Sequence, residues 1–362
     1  MKKLLSLLVV LFAAVVLVAC GAKTYEVAVV TDVGQLNDGG FNQGTYEGAV
    51  NYAKANKLTY KYYQPANGTD ATDNDRVAAM RQAIANGAKV IVTPGFLQAT
   101  AIETVAKENP EVKFIFIDGW ALGLANVTAV SYKEEESGYL AGYAATKDGF
   151  TKLGGTFGGG GTNAACNRFA YGYLQGINAA AAEMGKTVDV KISFQYGDAF
   201  SASPELQTQI SGWYNAGTEI VFSCGGSMLQ SVKAAAAETA NGKIIGVDVD
   251  QAGESERVLT SAVKGLAASV EKILGELYDG KWDAQLADKC SNLGAADDAT
   301  GIPTAEGSWR FTTFTKAEYE TLFANLKAGN VAIRNDVAGN MKEAAAWDAI
   351  KAACTNVNLV IE

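Results

Sequence analysis

The 362-residue chain contains no histidine. That removes the commonest general base near neutral pH and the commonest transition-metal ligand. Cysteine is scarce, five residues with no Cys-x-x-Cys pair, so no zinc site is expected and no metal or cofactor is assigned. Basic residues are outnumbered, 30 Lys and Arg against 39 Asp and Glu, for a net charge of −9. Phosphate backbones are bound by basic faces, so nucleic acid is excluded as a partner. No short internal repeat is evident, and the apolar run at the N-terminus is short for a membrane span.

That N-terminal run has the layout of a targeting segment. Lys2 and Lys3 precede the apolar stretch Leu4 to Val18, and Leu17-Val18-Ala19-Cys20 matches a bacterial lipobox. Residues 1–19 are read as a signal peptide and Cys20 as the lipidated first residue of the mature chain. The alternatives are an uncleaved membrane helix and an ordinary secretory signal. Loss of Lys2 and Lys3 takes the net charge from −9 to −11. The expected location is the extracytoplasmic face of the cell membrane, held by a lipid anchor. Of the other cysteines, Cys224 falls in the apolar run IVFSC and reads as a buried thiol, while Cys290 with Cys354 is the disulfide to test first.

After the leader, short apolar runs alternate with helical stretches. Val27 to Val30, Leu58 to Gln64, Lys89 to Thr93 and Val112 to Ile117 read as strands. Between them lie helices from Phe41, from Arg76 to Asn86 and from Ala99 to Glu108. The alternation predicts an α/β fold with parallel sheets and right-handed crossovers. A second series runs from a helix at Glu134 to Lys147 through a strand at Lys243 to Val247. The chain crosses to a second lobe near Val127 to Tyr132 and recrosses near Val258 to Lys264, with a third crossing before the tail helix at Lys316 to Ala328. The expected division is residues 20–131 plus 262–285 for lobe 1, and 132–261 plus 286–362 for lobe 2. The stretch Leu286 to Gly307 has no clear periodicity. Glu134, Glu135 and Glu136 read as a solvated helix start, and Arg168 either faces the cleft or pairs with a surface acid.

In open α/β sheets, ligands bind beyond the carboxyl ends of the strands. The strand-end loops supply Asp32, Phe41, Asn42, Gln43 and Asp118 from one lobe. Phe200, Gly225, Gly226 and Asp248 come from the other, and Lys264 from the crossing. Two rings from opposite lobes would clamp a planar base, with carboxylates taking its hydroxyls and N–H groups. Taken singly, Asp32 reads as a turn cap and Phe41 as helix core. The run GGTFGGGG at 154–161 lacks the GK[ST] ending of a phosphate loop and reads as a tight strand-to-helix turn.

Val27 to Gly48, VAVVTDVGQLNDGGFNQGTYEG, together with FIDG at 116–119, EEESGYLAGYAA at 134–145, GVDVDQ at 246–251 and LTSAVK at 259–264, resembles the basic membrane protein family. These are bacterial surface lipoproteins, purine nucleoside receptors among them, that deliver ligand to an ABC importer. The resemblance implies a two-lobed type I periplasmic-binding-protein fold, each lobe a parallel sheet flanked by helices, hinged at three crossings. It implies ligand contacts from Asp32, Phe41, Asn42, Asp118, Phe200, Gly225, Asp248 and Lys264, with either Asp248 or Asp250 facing the cleft. It further implies a monomer that binds guanosine, inosine or adenosine, partners an ABC permease and performs no chemistry. A pentose-binding protein, a surface adhesin and a nucleoside hydrolase are the competing readings.

Overall fold

The computed structural model describes residues 24–33, 35–197, 200–336, 341 and 343–362. The leader, Cys20 and the Asp198–Ala199 pair lie outside the described residues. From Val27 the chain alternates: β1 Val27–Val30, α1 Phe41–Ala55, β2 Tyr60–Tyr63, α2 Asp73–Ala85, β3 Val90–Pro94, α3 Ala99–Glu108, β4 Lys113–Ile117 and β5 Val127–Tyr132. A second series follows: α4 Glu134–Lys147, β6 Lys152–Phe157, α5 Ala164–Glu183, β7 Val188–Ser193, α6 Pro204–Asn215, β8 Ile220–Cys224, α7 Met228–Ala237, β9 Lys243–Asp248 and β10 Val258–Lys264. Then come α8 Leu266–Tyr278, β11 Cys290–Leu293, the short β12 Thr300–Gly301, α9 Lys316–Lys327, α10 Ala344–Ala353 and β13 Val357–Ile361.

The first sheet has the order β11-β5-β4-β3-β1-β2, all parallel. The second has the order β12-β10-β9-β8-β6-β7-β13, parallel except for β12. Central strands such as VAVV and IVFSC are buried along their whole length, because helices cover both faces and leave no polar side to alternate with. The fold is thus the α/β two-sheet architecture that the sequence pattern predicts.

Helix starts follow their caps. Thr72 and Asp75 form a reciprocal capping box, so α2 begins at Asp73, three residues before the expected Arg76. Asn163 accepts from the Cys166 N–H and starts α5 at Ala164 rather than Asn167. Where α4 crosses α5, a Cβ on Gly172 would lie 2.0 Å from the Glu135 carbonyl oxygen, and one on Gly176 2.0 Å from that of Tyr139. The two helices meet backbone to backbone, which brings Glu134 and Glu135 onto the start of α5.

Among the described residues the chain passes between the sheets three times: after β5, after β10, and between β11 and β12. Val127 to Tyr132 is a full strand of the first sheet, and the crossing follows it. Likewise β10 pairs with β9 through Val263, so residue 262 falls inside a second-sheet strand rather than at a boundary. β11 corrects the expectation for residues 286 onward: Cys290 to Leu293 pairs with β5 and extends the first sheet. Its sequence, CSNL, is polar and largely exposed because it is an edge strand. The Cys290–Cys354 disulfide does not form. Cys290 is exposed on the first sheet, Cys354 is buried in the second core, and all four described cysteines are free. Cys224 is buried, as its apolar surroundings predict.

Candidate ligand-binding cleft

The carboxyl ends of both sheets open onto one cavity of about 550 Å³. Asp32, Phe41, Asn42, Asp118, Phe200, Gly225, Asp248 and Lys264 all line it. Gly226 lines it too, whereas Gln43 does not. Sequence reasoning missed Gln64, Asn67 and Thr69, from the loop after β2, and Asn163, Cys166 and Phe169 around the start of α5.

On the first-sheet side, the loop after β1 is built around Asp38. Its carboxylate accepts from the backbone N–H groups of Gly40 at 2.9 Å, Asn42 at 3.0 Å and Gln43 at 3.2 Å. These are donors the first turn of α1 would otherwise leave unpaired. The Asn42 amide donates to Asp38 Oδ2 and to Asp32 Oδ1, each at 3.2 Å. Asp38 thus places both Asn42 and the neighbouring Phe41 ring. An acid at the end of a polar loop, just before a helix, was the available signal. Burial raises the Asp38 carboxyl against those backbone donors. Gly95 leaves room for Asp32: a Cβ there would sit 2.3 Å from its Oδ2.

Four non-glycine residues of the cavity have left-handed backbones: Asn67 at φ 67°, Asp118 at φ 55°, Phe200 at φ 55° and Asp248 at φ 69°. Aspartate tolerates this region, but a bulky aromatic residue there is strained. The Phe200 turn is held by hydrogen bonds from its N–H to Gly197 O at 3.1 Å and from Ser227 N–H to its carbonyl at 3.0 Å. Its ring lies against Gly158, where a Cβ would come within 2.5 Å of it. Of the two candidate acids after β9, Asp248 faces the cavity. Asp250 accepts from Ala252 N–H at 3.0 Å and from the Ser308 hydroxyl.

At the cavity floor lies a buried ionic cluster. Lys264 Nζ is 2.6 Å from Asp118 Oδ2, 3.5 Å from Asp248 Oδ1 and 3.5 Å from Glu134 Oε1, and stands 5.0 Å from the Phe41 ring centroid. Burial pulls the lysine pKa down, but Asp118, Asp248 and Glu134 outweigh it and hold the ammonium above its ordinary value. Burial raises Asp118 against the opposing effect of Lys264, and pushes Asp248 up to about 6. Glu134 and Glu135 are buried, which corrects the solvated-helix reading. Arg168 Nε lies 2.6 Å from Glu134 Oε2 and 3.8 Å from Glu135 Oε2, so it pairs with buried acids. Asn42 Oδ1 and Asp118 Oδ1 are buried without a hydrogen-bond partner among the described residues. Such acceptors are costly unless a donor reaches them, so the cavity is suited to a molecule with N–H or O–H groups.

The family model for ABC transporter substrate-binding proteins, PnrA-like, matches residues 25–325. The chain belongs to this family. The expected basic membrane protein resemblance therefore holds. A relative from Lactococcus lactis, "ABC transporter nucleoside-binding protein BmpA", is 31% identical over 279 residues, 71% of this chain and 76% of that protein. Basic membrane protein B of Borreliella burgdorferi is 29% identical over 229 residues, 61% of this chain and 64% of that protein. An ABC transporter solute-binding protein from Aeropyrum pernix shares the fold with a TM-score of 0.66 at 20% identity, covering 91% of this chain and 90% of that one. One from Conexibacter woesei has the same score and identity, covering 86% and 99%. As a PnrA-like substrate-binding protein, the chain works with an ABC permease on the extracytoplasmic side and takes a small-molecule ligand. No described helix is long and apolar enough to cross a membrane.

Proposed function

We propose that the protein binds purine nucleosides in the cleft and presents them to an ABC permease from a lipid anchor at Cys20. The observation that carries this reading is the pairing of Phe41 and Phe200, one from each side of a single cavity, above a floor of buried carboxylates and Lys264. A purine has two faces for the rings, and its ribose has hydroxyls for Asp118, Asp248 and Lys264. The nucleoside-binding name of the Lactococcus relative supports the ligand class. The ligand is held and released unchanged, with hinge motion at the three crossings as the working step.

A thermal-shift panel on the soluble body tests the ligand class. Guanosine, inosine or adenosine at about 100 times its dissociation constant should add about 2.7 kcal/mol of stability. A shift with ribose or another pentose and none with any nucleoside would replace this reading with a sugar-binding one. Release of hypoxanthine from inosine would mark a hydrolase instead. Mass analysis of the mature N-terminal peptide tests the anchor: an unacylated Cys20 removes it.

A further inference from the structure

The family match ends at residue 325, and the chain beyond it is built into the second lobe. β13 pairs with β7 over five residues. Met341, Trp347, Ile350 and Cys354 are buried in the second-lobe core. Two further points of attachment are on α5 and on the turn that precedes it. Gln175 on α5 and Arg334 exchange a pair of 2.8 Å hydrogen bonds, and Met341 N–H donates to Gly161 O at 2.7 Å. Between them, the Asn335 amide donates to Glu135 Oε1 at 2.8 Å.

That bond begins a chain of charges. Glu135 faces Arg168 on α5 and, on its own helix, Glu134. Arg168 binds Glu134, Glu134 faces Lys264, and Lys264 pairs with Asp118 and Asp248 in the cavity. The other oxygen of Glu135, Oε2, has no hydrogen-bond partner among the described residues. We infer that Asn335 is a positioning residue for the cleft: its amide fixes Glu135, which settles how Arg168 divides between two acids and hence where Lys264 sits between Asp118 and Asp248. The physical reason is that a buried carboxylate needs donors to stay ionised in place. Without Asn335, Glu135 competes with Glu134 for the guanidinium of Arg168, and Glu134, holding less of it, pulls harder on Lys264. The tail thereby sets affinity at a site it does not line.

The ligand readout rests on the nucleoside reading, so the test pairs it with one that does not. Inosine binding to the full chain is measured by calorimetry for the wild type, Asn335→Ala, Glu135→Gln, the double variant and Asn358→Ala. Asn358 is an exposed control on the same tail, bonded to Asp189. Asn335→Ala should weaken inosine about fivefold at neutral pH, the scale of coupling through such networks. It should add nothing on the Glu135→Gln background, and Asn358→Ala should bind as wild type. Without ligand, the melting deficit of Asn335→Ala should be largest near neutral pH and narrow on acidification, because a protonated Glu135 depends less on the donor. Unchanged inosine affinity in Asn335→Ala would reduce Asn335 to a fold contact and overturn the inference. A pH-independent melting deficit would overturn it as well. If the wild type binds no inosine, the nucleoside reading falls, and the melting series still decides whether Asn335 governs Glu135.

Discussion

Lys264 Nζ lies 2.6 Å from Asp118 Oδ2, an ion pair that joins a second-sheet strand to the end of a first-sheet strand. The lysine side chain is 3% exposed, and three carboxylates surround it. Methionine at 264 keeps the bulk and removes the charge, leaving Asp118, Asp248 and Glu134 buried without their shared cation. The expected loss is about 3–5 kcal/mol in a denaturant titration. A variant as stable as the wild type would mean that the cluster is not held together by this charge.

Acidification should move stability and affinity in opposite directions. Asp248 in the fold is pushed up to about 6 from an ordinary 3.8. The folded chain therefore binds this proton more readily than the unfolded one between those values. Stability contributed by the group is gained as pH falls through that window and lost as pH rises through it, on the order of 3 kcal/mol. The neutral acid is a poorer acceptor, so inosine should bind more weakly below about pH 6. Asp248→Asn should flatten both trends. If binding and stability fell together in the wild type and the variant alike, Asp248 would not be the group that titrates.

Phe200 permits a separation of strain from grip. Its φ of 55° costs any L side chain on the order of 1 kcal/mol and costs glycine little. Phe200→Gly should therefore unfold at higher denaturant than Phe200→Ala, the reverse of the usual order. Both should lose nucleoside binding by about tenfold through the missing ring face. Equal affinity in either variant would place the stacking elsewhere.

At the α4–α5 crossing a single methyl group has nowhere to go. Gly172→Ala should destabilise by about 2–3 kcal/mol, since the Cβ meets the backbone of Glu135 rather than a side chain that can rotate away. Gly212→Ala, on α6 with open space around it, is the matched control and should be neutral or slightly stabilising. A cost equal at both sites would show that helix propensity, not the crossing, sets the effect.

Much of this was legible in the sequence because its signals are local. α3 and α4 run over Ala99–Glu108 and Glu134–Lys147, the bounds that Pro110 and the acidic run imply. The candidate site was legible because strand-end loops in such sheets converge, and all eight expected residues share the cavity. What escaped is non-local. Glu134 looked solvated because the lysine that neutralises it is 130 positions away. β11 has no alternation to detect, since only β5 on one side gives it strand character. Asp250 and Asp248 look alike in sequence, and distant partners help to distinguish them: Ser308, 58 residues on, bonds Asp250, while Lys264 faces Asp248.

The ionic cluster stands close to two of the three places where the chain changes sheets, at Glu134 and at Lys264. In the proposed hinge motion, rotation of one lobe against the other would pivot near those charges. Atoms beside a pivot travel less than atoms further from it. Under the proposed hinge motion, the charges of the cleft floor would keep their mutual distances while the two aromatic sides of the cleft part.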